Sequence, residues 1–363
     1  MRRVLPAWTK WPQIDIPLLV SLLLLMGFGL LVLYSASGEN IQTVLRQGAR
    51  IAVGLGAMFV LSQVPPHILR IWTPWLYAFG VVLLLATWFI GTGRSTDRWL
   101  DLGLFRFQPS EVMKLAVPMM MAWYLHPRQL PPSARSVLMS FAILALPALL
   151  IARQPDLGTA LMVAVSGAFA LFLSGLQWRV IFGLAGLGAL AAPALWFVMH
   201  DYQRQRVLTF LDPESDPLGS GWNIIQSKIA VGSGGLLGKG WLHGTQSRLE
   251  FIPERHTDFI LAVLSEEFGL LGVMLLFALY LFIAGRGLYL AGTARSTYAR
   301  LLAGSLSLTF FVYLLVNAGM VSGLLPVVGV PLPLISYGGT SIVTLLAGFG
   351  IMMSVYGHRN FIR

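Results

Sequence analysis

The sequence contains no cysteine, and only 11% of its 363 residues are charged. The absence of cysteine excludes disulfide bonds, zinc–thiolate sites, iron–sulfur clusters and thiol nucleophiles. An average soluble protein carries about 25% charged residues, so the charge of this chain is too low to cover a water-facing surface of its size. The low charge therefore excludes a soluble enzyme, a DNA-binding domain and a coiled coil.

Hydrophobic residues are in excess and make up 56% of the chain. Long apolar blocks recur from Ile16 to Tyr356, which is typical of a polytopic membrane protein. The fourth block also carries Glu111 and Lys114, so it is the least typical of a lipid-facing helix. The sequence predicts an all-α polytopic membrane fold in a single domain, residues 1–363, with ten transmembrane helices near 16–35, 48–63, 75–92, 111–126, 136–152, 159–174, 179–198, 258–284, 300–324 and 340–356.

The basic residues are unevenly distributed between the two sides of the predicted spans. An even number of spans places both termini on one side, where Asp15 is the single acid and the basic residues are Arg2, Arg3, Lys10, Arg70, Arg128, Arg135, Arg179, Arg286, Arg295, Arg300, Arg359 and Arg363. Because cytoplasmic loops of membrane proteins carry an excess of Lys and Arg, we expect both termini to be cytoplasmic. The same rule accounts for the net charge of +10. We therefore expect membrane lipid as a partner and no nucleic acid.

One predicted connection, residues 199–257, is much longer than the others and lies on the outer face. Its apolar content argues against disorder, because Trp222, Ile225 and Ile229 repeat at helical spacing, as in a helix that lies along the membrane interface. Long loops in compact proteins are usually functional or disordered. We therefore expect a structured cap over the outer face.

Motifs for nucleotide or metal binding are only partly present. The run from Gly232 to Lys239 lacks the spacing of a phosphate-binding loop, because position 233 is serine and Gly240 follows the lysine. We interpret it as a flexible turn whose glycine amides, beside Lys239, could still contact a lipid-linked phosphate. The six histidines are scattered without metal-ligand spacing. The sequence predicts no cofactor built into the protein.

Charged residues near membrane depth are costly, so they are functional candidates by default. They fall into four clusters on the predicted outer face. The clusters are Arg94, Asp97, Arg98 and Asp101 with Gln108, Glu111 and Lys114; Arg153 with Asp156; Asp212 and Glu214 with Gln226, Lys228, Lys239 and Glu250; and Glu254, Arg255, His256, Thr257 and Asp258 with Glu266 and Glu267 further along. Together they describe a site for an anionic substrate.

Each cluster also has a purely structural interpretation. Thr257 or Asp258 could cap the eighth span, worth about 1 kcal/mol, or Asp258 could serve as a general base at the membrane boundary. Glu111 and Lys114 share a helix face at a spacing of three, either as a surface ion pair near a helix start capped by Ser110 or as a lysine that Glu111 holds towards an anionic headgroup. Asp156 could be no more than the N-cap of the sixth span.

Several runs of the sequence resemble the SEDS family (shape, elongation, division and sporulation). The resemblance lies in Gln108-Pro109-Ser110-Glu111, Gln154-Pro155-Asp156-Leu157-Gly158-Thr159, Pro253-Glu254-Arg255-His256-Thr257-Asp258-Phe259-Ile260 and Pro333-Leu334-Ile335-Ser336-Tyr337-Gly338-Gly339. Because these runs are distributed in order along the chain, the resemblance covers nearly all of it. The runs 98–103, 200–207, 211–219 and 328–333 are more similar to the elongation branch of the family than to the division branch.

The resemblance implies a peptidoglycan glycosyltransferase that polymerises lipid II, an undecaprenyl-pyrophosphate-linked disaccharide-pentapeptide, on the outer face of the bacterial inner membrane during elongation. It implies as partners a class B penicillin-binding protein, which is a transpeptidase, and other membrane proteins of the elongation complex. The family's essential aspartate corresponds to Asp258, which would act as general base on the acceptor hydroxyl.

The leaving pyrophosphate would need cationic stabilisation, for which Arg98, Lys114 and Lys239 are the candidates, and a divalent cation, Mg²⁺ or Mn²⁺, could assist them. The substrate-binding residues expected beside Asp258 are Arg98, Gln108, Glu111, Lys114, Asp156, Gln226, Lys239, Glu250, His256 and Thr257.

Two alternatives remain open from the sequence alone. A lipid II flippase would move the substrate without making a bond and would need intramembrane charges along a hydrophilic path. A non-catalytic scaffold of the elongation complex would tolerate substitution in the outer polar clusters. The ionisable residues stay near the predicted outer boundary, which favours an enzyme of the outer face.

Overall fold

A computed structural model describes residues 14–91, 98–101, 106–199, 201–219, 221–249 and 251–358. Helices dominate it, as the composition predicts. In chain order they are α1 Ile16–Ala36, α2 Ile41–Gln63, α3 Pro66–Ile90, α4 Pro109–Leu125, α5 Ala134–Ala152, α6 Leu157–Leu173, α7 Trp178–Val198, α8 Asp201–Leu211, α9 Trp222–Ser233, α10 Thr245–Arg248, α11 Ile260–Thr293, α12 Thr297–Ser322 and α13 Thr340–Gly357. Each of the ten predicted spans corresponds to one of these helices.

The length and composition of the helices confirm a multi-pass membrane protein. Within the described ranges, seven helices (α1, α2, α3, α5, α11, α12 and α13) are long and apolar enough to cross a membrane, and α6 and the first part of α7 are shorter apolar helices. The remaining predicted span, α4, is packed against α3, α5, α6, α12 and α13. Because its neighbours enclose it, α4 can carry Glu111 and Lys114 away from lipid.

Two helices begin earlier than the hydropathy pattern predicts. α2 begins at residue 41 instead of 48, and α3 at residue 66 instead of 75. Asn40 caps α2, because its Oδ1 accepts hydrogen bonds from the amides of Gln42 at 3.0 Å and Thr43 at 3.3 Å. The first turns of α2 contain Arg46 and Gln47, and such polar residues conceal the start of a helix from a search for apolar runs.

α11 is interrupted at Gly269, whose backbone angles (φ 62°, ψ −162°) are not helical. The glycine-rich segment 234–240 packs against this Gly269 break and satisfies the backbone groups that the interruption leaves free. Before the break, the carbonyls of Glu266 and Glu267 accept from the amides of Lys239 and Gly240, each at 3.0 Å. After it, the amide of Leu270 donates to the carbonyl of Gly235 at 2.9 Å, and that of Leu271 donates to the carbonyl of Leu236 at 3.1 Å. The segment interpreted as a flexible turn is therefore fixed to α11.

The long outer connection is structured, as predicted. It contains α8, a 3-10 turn at Pro213–Ser215, α9 and α10. The helix predicted from the spacing of Trp222, Ile225 and Ile229 is α9, and Ile229 on it is 45% exposed. Another side of α9, which includes Ile224 and Ala230, is buried where the helix packs against α11 and α12.

The two ends of the helix bundle carry different groups. At one end, Arg286 forms two hydrogen bonds with the carboxylate of Asp15 (3.0 and 2.6 Å), and the hydroxyls of Thr73 and Tyr298 lie 2.9 Å apart. At the opposite end, β1 (Leu100–Asp101) pairs with β2 (Arg106–Phe107) just before α4. The predicted outer-face loops gather at this second end, which is called the outer end below.

Candidate functional site

A turn formed by residues 254–259, called the Asp258 turn, precedes α11 at the outer end. The amides of Thr257 and Phe259 both donate to the carbonyl of Glu254, each at 3.1 Å. α11 begins only at Ile260, and its N-cap, Phe259, makes no side-chain capping hydrogen bond. The interpretation of Thr257 or Asp258 as a helix cap is therefore wrong, because the turn closes on itself before the helix starts.

Three consecutive carbonyls of the Asp258 turn accept hydrogen bonds from the C-terminal part of the chain. The amide of Tyr337 donates to the carbonyl of His256 at 2.8 Å, and the hydroxyl of Ser336 donates to that of Thr257 at 2.6 Å. Nδ2 of Asn317, on α12, donates to the carbonyl of Asp258 at 2.8 Å. The backbone thus positions Asp258 without using its carboxylate.

Two glycines allow the α12–α13 loop, residues 323–339, to approach the site closely. Gly329 has a φ of +73°, and a side-chain carbon at this position would lie 3.5 Å from Oδ2 of Asp258. Gly158 on α6 leaves no room for a side chain, because a Cβ there would lie 2.4 Å from the carbonyl oxygen of Val328. The loop is therefore packed between α6 and the Asp258 turn.

The surroundings of Asp258 favour its protonated form more than water does. Burial raises its pKa to about 6, and the nearby Glu254 carboxylate acts in the same direction. The guanidinium groups of Arg206 and Arg98 lower the pKa in part. A carboxyl that titrates near 6 is suited to take up a proton close to neutral pH.

Asp156 is the centre of a second polar cluster. Its Oδ1 accepts from the amide of Thr159 at 3.1 Å, so Asp156 does cap α6, as one interpretation of the sequence predicts. Its Oδ2 lies 3.2 Å from Arg98 and accepts from Nε2 of Gln108 at 3.0 Å. The cap therefore also holds a guanidinium that contributes to the electrostatics of Asp258.

Glu111 and Lys114 form the predicted ion pair, but it is buried inside the bundle and not at the surface, and the helix is capped at Gln108 and not at Ser110. Lys114 Nζ lies 2.7 Å from Glu111 Oε1 and 5.5 Å from the ring centroid of Tyr313 on α12. Lys114 and Tyr313 both line a small cavity beneath the α12–α13 loop, beside residues 331–334 and 336. They also line a second small, largely apolar cavity between α4, α12 and α13. The ammonium group therefore lies at the junction of two cavities.

The structure brings most of the predicted site residues to one place. Asp258 interacts electrostatically with Arg98 and Asp156, and Lys114 interacts with Asp156. The Asp258 turn supplies His256 and Thr257, whose side chains contact the ring of Tyr337 (centroids 5.9 Å apart) and the carboxylate of Glu254 (2.7 Å) respectively. The residues gathered there are Arg98, Gln108, Glu111, Lys114, Asp156, His256, Thr257 and Asp258.

Three predicted site residues are not among these. Lys239 binds Glu266 at 2.6 Å and Thr245 at 2.8 Å, below the outer cap. Gln226 lies on the buried side of α9, and Glu250 is outside the described residues.

Glu266 and Glu267 anchor the cap to α11 from below. Besides Lys239, Glu266 accepts hydrogen bonds from the amides of Thr245 and Gln246, and Glu267 accepts one from the hydroxyl of Ser35 on α1. The sequence suggested these two acids as part of the polar site, but their hydrogen bonds stabilise the fold.

Three residues that contribute to the site were not among the sequence candidates. Arg206, on α8, acts electrostatically on Asp258, and Asn317 and Ser336 position the turn. Arg206 and Ser336 lie within runs that carry the family resemblance, so those runs were a usable signal. Asn317 could have been found as a lone amide within an otherwise apolar span.

The arrangement combines a proton acceptor with fixed cations at one end of a membrane bundle. Within the described residues, no hydrogen bond is donated to the carboxylate of Asp258, so it is free to accept a proton from a substrate hydroxyl. Arg98, Arg206 and Lys114 provide positive charge on the same side. Such a site suits a reaction in which an alcohol attacks a substrate that carries an anionic leaving group.

Comparison with known proteins supports the same class of reaction. The family model FtsW/RodA/SpoVE, described as cell cycle protein, matches residues 16–360. The peptidoglycan glycosyltransferase MrdB of Escherichia coli K12 is 54% identical over 358 residues, which cover 98% of this chain and 97% of that protein. A probable peptidoglycan glycosyltransferase FtsW of Geobacter sulfurreducens is 34% identical, with 94% of each chain covered.

Solved structures share the fold. A chain from a structure that concerns the coordination of polymerization and crosslinking by a peptidoglycan synthase complex matches with a TM-score of 0.84 and 32% identity, covering 97% of this chain and 100% of that one. The rod shape determining protein RodA of Thermus thermophilus matches with a TM-score of 0.72 and 29% identity, covering 97% of this chain and 99% of that one.

Proposed function

The chain belongs to the FtsW/RodA/SpoVE family of cell cycle proteins, the SEDS family, and on that basis we propose that it is a peptidoglycan glycosyltransferase that polymerises lipid II during cell elongation. The 54% identity to a protein named for this activity, over nearly the whole of both chains, supports the reaction. The observation that carries the proposal is Asp258, which is fixed through its backbone while its carboxylate remains available.

The reaction is a displacement at the anomeric carbon of the donor sugar. The 4-hydroxyl oxygen of the acceptor sugar attacks that carbon, Asp258 takes the hydroxyl proton, and the bond from the anomeric carbon to the pyrophosphate oxygen breaks. The electron pair of the broken bond leaves with the pyrophosphate. An α-linked donor then gives a β-linked glycan, and one carboxylate is enough for this inversion.

The leaving group needs positive charge more than it needs a proton. Arg98 and Lys114 are proposed to stabilise the pyrophosphate, and their proximity to Asp156, in the cluster that flanks Asp258, supports this role. Lys239 stays a prediction, and its ammonium is already paired with Glu266. Arg206 joins the proposal because it acts electrostatically on Asp258.

A divalent cation would accompany the substrate and would not be resident in the protein. No group of three or more metal-ligating side chains occurs in the part of the chain that the structure describes, so these residues do not fit a metal cage. Mg²⁺ or Mn²⁺ bound to the pyrophosphate would neutralise its charge. The proton transfer to Asp258 does not depend on it.

The cellular setting follows from the family. We place the protein in the bacterial inner membrane with both termini in the cytoplasm, so that the outer end faces the periplasm. The proposed partner is a class B penicillin-binding protein, a transpeptidase, working with other membrane proteins of the elongation complex. A structural relative found in a peptidoglycan synthase complex supports this partnership.

The test is polymerisation of labelled lipid II by the purified protein with its penicillin-binding partner, whose transpeptidase is blocked. The native chain is compared with Asp258→Ala and Asp258→Asn, and thermal unfolding and partner binding serve as controls. We expect glycan ladders from the native chain and none from either folded variant. Equal ladders from all three would remove Asp258 from the reaction. No ladders from any, with the partner bound, would favour a transbilayer movement of lipid II instead.

A further inference from the structure

α2 carries a buried glutamine whose side chain binds the α12–α13 loop. Gln47 is only 1% exposed. Its Nε2 donates to the carbonyl of Ser336 at 3.0 Å, and its Oε1 accepts from the amide of Gly338 at 3.3 Å. Burying an amide is unfavourable unless both of its ends are hydrogen-bonded, and here both ends bind the loop.

Two residues of the same loop stretch, Ser336 and Tyr337, hold the Asp258 turn. Ser336 uses its carbonyl for Gln47 and its hydroxyl for Thr257, at 3.0 and 2.6 Å. Tyr337, between the two contacts of Gln47, donates its amide to the carbonyl of His256 at 2.8 Å. A movement of this stretch would therefore move the two carbonyls that immediately precede Asp258.

A second residue of α2 supports the same stretch through its side chain. The guanidinium carbon of Arg50 lies 4.4 Å from the ring centroid of Tyr337, and this ring meets that of His256 at a centroid distance of 5.9 Å. α2 thus contacts residues 336, 337 and 338 through Gln47 and Arg50, which lie about one helical turn apart.

We propose that Gln47 is a positioning residue for glycosyl transfer, which acts through residues 336–338 to hold Asp258 in place. The proposal rests on the function proposed above, in which Asp258 is the general base. Gln47 itself touches neither the substrate nor the carboxylate. Its loss should therefore impair the chemical step more than the binding of lipid II.

The kinetic test compares Gln47→Met with Gln63→Met in the full-length protein bound to its penicillin-binding partner. Methionine keeps the length of glutamine but removes both hydrogen bonds. Gln63 lies exposed at the other end of the same helix, and among the described residues its side chain bonds its neighbour Ser62, so it is the control for the same substitution on α2 away from the loop. For Gln47→Met we expect kcat to fall about 10-fold or more, with KM for lipid II within about twofold, because a misplacement of about 1 Å can cost up to about 100-fold in rate. For Gln63→Met we expect native kinetics.

A structural readout separates positioning from a general loss of stability. Amide hydrogen exchange of the peptides that cover residues 254–260 and 332–340 should accelerate in Gln47→Met and remain native in Gln63→Met. Slow kcat with native exchange at residues 254–260 would overturn the route through the loop. If Gln47→Met does not fold, Gln47→Leu takes its place, because leucine is also uncharged and removes both hydrogen bonds, and a native kcat in that folded variant would equally overturn the proposal.

The proposal and the function on which it rests can fail separately. If Asp258→Asn retains polymerisation, the role of the general base fails. If Asp258→Asn is inactive while folded Gln47→Met matches Gln63→Met in kcat and in exchange, only the role of Gln47 fails.

Discussion

The hydrogen bonds that position Asp258 differ from those that position Asp156 and Glu266. Asp156 and Glu266 are each fixed by hydrogen bonds to their carboxylate oxygens. Asp258 is fixed by a hydrogen bond to its carbonyl, and the two residues before it are fixed in the same way. Its carboxylate can therefore gain a proton without breaking the contacts that position it.

The raised pKa of Asp258 gives a prediction about pH. A general base must be deprotonated, so kcat/KM for polymerisation should rise with pH up to about 6 and level off above it, where Asp258 is charged. Glu254→Gln removes a negative neighbour, which lowers the pKa of Asp258, and the rising part of the profile should move to lower pH. Initial rates from pH 5 to pH 8 measure this.

The control for the pH prediction is the unfolding temperature of both proteins across the same range, since loss of folded protein at low pH would mimic titration. A profile of Glu254→Gln that coincides with the native one, in folded protein, would contradict the assignment of Asp258 as the titrating base.

Asp156 combines a helix cap with an ion pair, and two substitutions separate these roles. Asparagine is a good N-cap but has no charge and replaces the acceptor for Arg98 with a donor, so Asp156→Asn should keep the cap and lose activity through the weakened hold on Arg98. Asp156→Ala should also lose the cap, at a cost of about 1 kcal/mol in unfolding free energy. Polymerisation rates and thermal unfolding of both variants check this, and full activity in Asp156→Asn would show that the cap alone matters.

The sequence was informative about residues where their chemistry is unusual for a membrane helix. The charged residues Arg98, Lys114 and Asp156 stood out against an apolar background, and the structure gathers them with Asp258. It was uninformative where the partner of a side chain is a distant backbone group. Neither the role of Gln47 nor that of Ser336 follows from local sequence, because their partners lie 289 and 79 residues away.

Among the elements, α11 departs most from an ideal helix, and the Gly269 break is the reason. A Cβ at residue 269 would lie 2.3 Å from the amide nitrogen of Gly238, and the positive φ is strained for any other residue. Gly269→Ala should therefore destabilise the protein by at least the roughly 1–3 kcal/mol expected for such backbone strain. The expected readout is a lower thermal unfolding temperature in detergent.

Gly232→Ala is the matched control for the Gly269 prediction. Gly232 lies within α9, and nothing lies within 4 Å of a Cβ placed there. Alanine favours a helix over glycine by about 0.5–1 kcal/mol, so this variant should be neutral or more stable. An equal unfolding temperature for Gly269→Ala and Gly232→Ala would mean that the packing of segment 234–240 against α11 does not depend on the Gly269 break.

Sequence patterns predicted every spanning helix but not the interruption of α11 or the early starts of α2 and α3. Hydropathy depends on the average of a window, and a single glycine at position 269 changes that average little. The start of α11 was predicted to within two residues, at 258 instead of 260. In α9 the helical spacing was correct, and the contacts of its buried side with α11 and α12 could not be predicted, because they depend on distant parts of the chain.

At the scale of the whole molecule, the absence of cysteine makes the proposed orientation easy to test. Ser215→Cys places a thiol on the exposed 3-10 turn of the outer end, and Ala134→Cys places one at the exposed start of α5 on the other end. In right-side-out vesicles, a membrane-impermeant maleimide should label Ser215→Cys and not Ala134→Cys. Inside-out vesicles should give the reverse, and the native chain provides a blank.

Labelling of Ala134→Cys in intact right-side-out vesicles would invert the orientation that the distribution of Lys and Arg predicts. The polymerisation assay then has to be interpreted with the Asp258 turn on the cytoplasmic side. Retained activity of both single-cysteine variants ensures that the labelled protein is the functional one.

The hydrogen bonds to the Asp258 turn also set the order in which the site can be completed during synthesis. Asp258 emerges from the ribosome well before Asn317, Ser336 and Tyr337, which hold three successive carbonyls of its turn. Until α12 and the α12–α13 loop have been synthesised, the nascent chain exposes the aspartate without its supports. A translation product interrupted before residue 317 therefore lacks all three groups that position its proton acceptor.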